Sequence, residues 1–362
     1  MGYWTHSNFW EIYSMMHQIF PEFVSKKWVI GRTYEKNYIE AFRIGKSMDS
    51  PKSSKKNFAL FMALHHAREP ISLTMLFGLF IGQLHDLYHN KSELLYSQID
   101  LVFIPIVNVD TYKFINNSYL QSSPDWDKIS FMRKNRRPCS ETTIKPKIVT
   151  LGDSDNACNP KYNCGVDINR NYGYKFGMDD IGSDNDQCSD AYRGVKAFSE
   201  PETQAVRSFF QKNKGKIVST VSFHSFGPLV LNGFNWDGEK NLEMQQNHPR
   251  HYKFNQDFKE ASLKVHNMKT LQYGNSAQTL HYTANGETID WVVKTYDIFG
   301  YTLEIANDNT ETHGFYAPQN LLADVIKDFY PILQLYLDYH KTDLKNVRML
   351  VEKRTPNKQM IN

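Results

Sequence analysis

Short, wholly apolar runs alternate along the chain with longer segments of helical periodicity. Phe58-Ala59-Leu60-Phe61-Met62-Ala63-Leu64 is an uninterrupted apolar run of strand length, which predicts a strand buried on both faces. Ile217 to His224 is rich in β-branched residues and closes on a histidine. Strand alternation puts Thr220, Ser222 and His224 on one face and Val221 and Phe223 on the other. In Phe299 to Ile305, the residues Phe299, Tyr301, Leu303 and Ile305 share one face, while Thr302 and Glu304 share the opposite one. Helical spacing predicts helices near 8–20, 71–89, 200–213, 251–267 and 317–341. The alternation predicts an α/β fold: a single domain with a mixed, mostly parallel central sheet covered by helices on both faces.

Chemistry-bearing side chains fall at the ends of these strands. His66 and Glu69 follow the first, separated by Ala67 and Arg68, and Pro70 then opens a helical stretch where proline is tolerated. His224 closes the second and Glu304 lies near the end of the third. Two imidazoles and a carboxylate are the ligand types of a catalytic zinc, which typically takes three protein ligands and keeps a position open. Taken alone, His66 and Glu69 could be a surface histidine beside a helix-start acid. A carboxylate at the end of an apolar strand, however, costs free energy unless it has a partner or a task.

With these residues in place, the chain resembles the zinc metallocarboxypeptidases of the pancreatic carboxypeptidase A/B type. The matching blocks are His66-Ala67-Arg68-Glu69, Met132-Arg133-Lys134-Asn135-Arg136, Gly165-Val166-Asp167-Ile168-Asn169-Arg170-Asn171-Tyr172, Phe223-His224-Ser225-Phe226, Tyr282 to Trp291, and Thr302-Leu303-Glu304. They occur in the family's order over nearly the whole chain. The resemblance implies that His66, Glu69 and His224 hold one Zn2+ per chain, that Glu304 is the general base and that Arg133 faces the oxyanion. It further implies that Asn169, Arg170 and Tyr282 hold the substrate's terminal carboxylate, with Arg68 and Ser225 contacting the peptide. Phe226 stands where a Tyr is usual, and Tyr172 replaces a common Trp. Read singly, Arg133 could belong to a solvated basic face, Tyr282 could be a packed ring, and Arg170 could pair with Asp167.

By the same resemblance Ile289 lies at the base of the side-chain pocket, with Leu231, Asn235, Ala277, Ala284 and Thr302 around it. An aliphatic base leaves a cation desolvated and unpaired, so aromatic or large aliphatic C-terminal residues are expected as substrate, on peptides or proteins. Two other readings stay open: a zinc amidohydrolase of N-acyl amino acids, and a non-catalytic peptide-binding relative.

Composition sets bounds on these readings. With 362 residues and 41% hydrophobic content the chain can bury a large core. Its net charge of +3 is too mild to imply nucleic acid. The longest apolar run, Ile71 to Gly82, falls short of a membrane span, which needs about 20 residues. A monomer is expected. Residues 1–342 form the expected catalytic domain, with a cysteine-containing loop insertion at about 138–190 and a basic tail over 343–362. Cys139, Cys158, Cys164 and Cys188 allow three pairings; the resemblance implies Cys164 with Cys188, leaving Cys139 with Cys158. Disulfides, with sequons at Asn90 and Asn116, predict a secreted, extracellular or vacuolar-lumen protein whose signal and pro-segment are absent from this chain. Met1-Gly2-Tyr3-Trp4 is no signal peptide, which keeps a cytoplasmic alternative.

Overall fold

The apolar runs form the centre of an eight-stranded sheet. The computed structural model describes residues 3–48, 56–139, 161–265, 271–306 and 314–340. The strands are β1 (Trp28–Arg32), β2 (Tyr38–Ile44), β3 (Asn57–Ala63), β4 (Ile99–Ile104), β5 (Ile217–Ser225), β6 (Leu229–Asn232), β7 (Gln272–Gly274) and β8 (Phe299–Ile305). Their spatial order is β1-β2-β4-β3-β5-β8-β6-β7. The central four, β4, β3, β5 and β8, are mutually parallel, while β2 and β6 pair with them antiparallel. The sheet is therefore mixed and mostly parallel, as its unbroken apolar strands predict. Helices His6–Ile19, Pro70–Tyr88, Pro201–Lys212, Pro249–Val265 and Leu322–Tyr339 flank it, close to the expected positions.

One aromatic ring from each of four adjacent strands ties the sheet together. Phe42 lies 5.0 Å from Phe103, Phe103 lies 5.5 Å from Phe61, and Phe61 lies 6.2 Å from Phe223, all near-parallel. Cross-strand aromatic pairs of this kind pin register as well as bury area. The register that matters for function lies between β5 and β8, where Ser222 pairs with Thr302 and His224 with Glu304. Residues paired across neighbouring strands share a face, so histidine and glutamate stand side by side.

Helix Pro70–Tyr88 is long and apolar enough to cross a membrane, but here it packs against helix Leu322–Tyr339 in the core. Two glycines allow that approach. A Cβ on Gly78 would come within 2.9 Å of the Ile326 side chain, and one on Gly82 within 2.7 Å of the Tyr330 ring.

The expected disulfide pairing is overturned. Cys139 bonds Cys164, with Cα atoms 5.1 Å apart. The reason is a long-range pairing of two loops: Asn135 N donates to Val166 O at 3.0 Å, and Val166 N to Asn135 Oδ1 at 2.8 Å. Those bonds bring the segments carrying the two cysteines side by side. Gly165, at φ +103°, turns the chain where any Cβ would collide with Asn135 O. Cys188 is disulfide-bonded as well, though not to Cys164. Cys158 and the basic tail 343–362 lie outside the described residues. Of the two sequons, Asn90 is exposed, whereas Asn116 is buried with its Oδ1 accepting from His6 N at 2.9 Å, which leaves no room for a glycan.

Peptide mapping under non-reducing conditions should recover the Cys139–Cys164 cross-link; a Cys164–Cys188 peptide would contradict the loop pairing. Gly82→Val should lower unfolding free energy by about 1–3 kcal/mol through overpacking, read as a shift in urea midpoint at constant slope.

Candidate metal and peptide site

The first cluster is built on the turn after β3. Leu64 adopts φ +53°, an unusual conformation for a leucine, and is fixed by its neighbours. Its N–H donates to Ser72 Oγ at 3.3 Å, its carbonyl accepts from Asn108 N at 2.9 Å, and Ser72 Oγ donates to Glu69 O at 2.6 Å. Asn108 Nδ2 also donates to the carbonyls of His65 and Arg133, which ties two site loops together. Helix Pro70–Tyr88 begins immediately after Glu69. A rigid strand end and a rigid helix start thus hold His66 and Glu69 between them.

His66, Glu69 and His224 are all buried, and one ligand atom from each lies within 4.8 Å of the others. His66 Nδ1 is 2.7 Å from Glu69 Oε1, His224 Nδ1 is 3.0 Å from Glu69 Oε2, and the two Nδ1 atoms are 3.2 Å apart. Two imidazole lone pairs and a carboxylate converging on one point fit a zinc ion with a position to spare. His66 Nε2 meets Asp167 Oδ1 at 3.1 Å, the outer carboxylate contact that fixes a ligand's tautomer. Burial alone would raise the Asp167 carboxyl, but Arg133 and His66 hold it well below the usual carboxylate range. Arg133 Nε donates to Asp167 Oδ2 at 2.8 Å. Arg133, Asp167 and His66 thus form one charge-balanced chain.

Beside the trio opens a cavity of about 260 Å3 lined by His66, Glu69 and His224 together with Arg68, Arg133, Asn169, Arg170, Ser225, Tyr282, Glu287 and Glu304. Glu304 has no hydrogen-bond or ion-pair partner among the described residues. Burial, then the neighbouring Glu69 and Glu287, push its carboxyl well above the usual range against the pull of Arg133 and Arg170. Ser225 Oγ is buried without a hydrogen-bond partner among the described residues and borders the same space. Tyr282 is half-exposed at the rim. An unpaired carboxylate, an arginine and an unsatisfied hydroxyl around one opening describe a site made to receive a polar ligand.

Residues 12–331 match the family described as zinc carboxypeptidase. The chain belongs to that family of metallopeptidase hydrolases. It is 32% identical over 160 residues to Zinc carboxypeptidase A 1 of Anopheles gambiae, covering 43% of this chain and 34% of the mosquito protein. Carboxypeptidase B2 of Homo sapiens is 24% identical over 343 residues, covering 90% of this chain and 69% of the human protein. Among solved structures, bovine thrombin-activatable fibrinolysis inhibitor in complex with tick carboxypeptidase inhibitor gives a TM-score of 0.69 at 23% identity, covering 97% of this chain and 98% of that one. A likeness at that identity shows the fold.

The expected zinc carboxypeptidase residues therefore fall mostly in one place. His66, Glu69, His224, Arg68, Arg133, Asn169, Arg170, Ser225, Tyr282 and Glu304 all line the cavity. Ile289 and Thr302 do not. Ile289 is buried against Phe234, Met244 and Val293, and Thr302 is buried in the β6–β8 pairing opposite Leu231. A further carboxylate in the wall, beside the expected Glu69 and Glu304, is Glu287, two residues before Ile289. Its Oε1 accepts from Arg170 Nη1 at 3.1 Å and its Oε2 from Asn235 Nδ2 at 2.6 Å. The Asp167 carboxylate, expected as a partner for Arg170, is held by Arg133 and His66. Arg170 instead donates to Glu287, Gly182 O and Asn169 O. Arg68 reaches away from the ligand trio to Asp190 at 2.8 Å and lies over the Phe315 ring.

Asp167→Asn should weaken zinc affinity about 10–100-fold, as loss of an outer-sphere carboxylate typically does. Chelator competition alongside a melting curve checks this; unchanged zinc affinity would remove Asp167 from the site.

Proposed function

We propose that this protein is a zinc-dependent carboxypeptidase that hydrolyses the last peptide bond of peptides or proteins, with Glu304 as general base. The observation that carries the proposal is the unpartnered Glu304 carboxylate, level with His224 and in the cavity that the His66–Glu69–His224 trio borders. When bound, zinc supplies Lewis-acid polarisation of the scissile carbonyl and acidifies water. Glu304 takes the proton of the attacking water and returns it to the leaving amine. Its raised proton affinity suits the second half of that task. Arg133, held by Asp167, keeps a fixed cation facing the cavity where oxyanion charge develops.

An exopeptidase must also read the chain end. Arg170 Nη2 has no hydrogen-bond partner among the described residues, so it can donate to a terminal carboxylate while Nε and Nη1 anchor the guanidinium. Asn169 and Tyr282 add neutral hydrogen bonds from the cavity wall. Both Glu287 oxygens are occupied by Arg170 and Asn235, and Leu231 and Leu280 supply apolar wall. That supports aromatic or large aliphatic C-terminal residues. One observation favours a second reading, in which basic residues are released: Glu287 itself lines the cavity. An oxidising, secretory compartment is proposed from the Cys139–Cys164 disulfide.

Two experiments test the proposal. Glu304→Gln should keep zinc and lose about 10²–10⁴ in turnover; near-normal turnover would refute its role. Blocked dipeptides ending in Phe or Leu should be cleaved in a chelator-sensitive way, while the C-terminal amide resists. Preferred release of Arg, abolished by Glu287→Gln, would instead install the second reading.

A further inference from the structure

His65 is fully buried directly behind the site, beside a ligand residue but turned away from the metal position. Its two ring nitrogens touch two separate parts of the machinery. His65 Nδ1 is 3.3 Å from Ser222 Oγ, and Ser222 Oγ is 3.0 Å from His224 Nε2. On the other side, His65 Nε2 is 3.2 Å from Thr288 Oγ1 and 3.0 Å from the Tyr172 hydroxyl. Thr288 in turn donates twice to Asn169 Oδ1, from Oγ1 at 2.7 Å and from its backbone N–H at 3.1 Å. We propose that His65 is a positioning residue that links the zinc-holding His224 to the carboxylate-binding Asn169 through Ser222 and Thr288.

The proton directions in this chain are fixed by the metal position. His224 presents Nδ1 to Glu69 and to His66 Nδ1, so Nδ1 is the atom that must offer a lone pair. The proton of a neutral His224 then sits on Nε2 and is donated to Ser222 Oγ. A hydroxyl that accepts there has its own hydrogen to give, and it gives it to His65 Nδ1. His65 is a buried imidazole with no carboxylate within hydrogen-bond reach among the described residues, and it keeps its single proton on Nε2, facing Thr288 and Tyr172. Thr288 Oγ1 accepts, either from His65 directly or from the Tyr172 hydroxyl, and its own hydrogen goes to Asn169 Oδ1. Asn169 Oδ1 is then saturated, which leaves Nδ2 as the group available to the cavity. A tyrosine suits position 172 because its hydroxyl can accept from His65, whereas an indole N–H only donates. The relay thus sets a tautomer at one end and an amide orientation at the other.

The inference rests on the metal and carboxylate reading above, and it is tested by binding rather than by turnover. Asn places a polar atom near imidazole Nδ1, and Gln places one near Nε2. His65→Gln should therefore keep the Thr288 side and lose the Ser222 side. Its zinc affinity should fall about 10–100-fold, while its preference for N-acetyl-phenylalanine over the corresponding amide, measured at saturating zinc, stays within about threefold. His65→Asn should do the reverse: zinc affinity is held within about threefold, and the acid-over-amide preference drops about 5–10-fold, the worth of one neutral hydrogen bond. Both affinities unchanged in both variants, or both falling together in step with stability, would overturn the proposal. If neither variant folds, Ser222→Ala decides. Weakened zinc binding with an intact acid-over-amide preference supports the relay, and unchanged zinc binding refutes it. Failure of the wild-type protein to bind zinc would instead count against the proposed function.

Discussion

Strands β3, β5 and β8 run parallel with their carboxyl ends level, and that register is what the rest of the site depends on. It sets His224 beside Glu304 on neighbouring strands and delivers His66 and Glu69 from the adjoining strand end. The ring ladder Phe42–Phe103–Phe61–Phe223 ties two of these strands, β3 and β5, to β4 and β2. A slip of one residue between β5 and β8 would turn Glu304 to the opposite face and place Leu303 at the cavity. Parallel strands collect ligands at this end because their loops converge there, while the sheet holds the first atom of each loop still.

Crowding acidic groups at one buried point has a large desolvation cost, and the structure offsets it by pairing. Asp167 is answered by Arg133 and His66, and Glu287 by Arg170 and Asn235. Glu69 lies between two histidines and accepts from the Ser225 backbone N–H. Glu304 is the exception, a half-buried carboxylate without such a partner among the described residues. A group left unpaired where its neighbours are paired marks the position at which free energy has been given up for chemistry. The behaviour of Glu304 follows from its place: its neighbours Glu69 and Glu287 repel a further negative charge, so it holds a proton readily.

Much of this was legible in the sequence, because burial on both faces writes itself as unbroken apolar runs. Phe58–Leu64, Ile217–His224 and Phe299–Ile305 all became central strands, and the polar residues at their ends became the site. What stayed hidden depends on contacts between distant segments. The Cys139–Cys164 bond follows from Asn135 meeting Val166, which no local pattern announces. Locally, Glu287 is an ordinary acid at the start of helix Thr288–Tyr296, where acids are favoured anyway. Only the fold shows that its side chain turns to Arg170 while Ile289 turns into the apolar cluster behind. His65 was masked by its neighbour His66, since adjacent histidines read as one feature until the turn after β3 sends them in different directions.

The central claim is that the His66–Glu69–His224 trio is a zinc site serving the cavity beside it. Anomalous diffraction from crystals grown with zinc, collected on either side of the zinc absorption edge, tests it most directly. The account predicts one strong peak per chain, within bonding distance of His66 Nδ1, His224 Nδ1 and the Glu69 carboxylate. No peak there, or zinc held at some other group while the trio keeps its mutual hydrogen bonds, would contradict it.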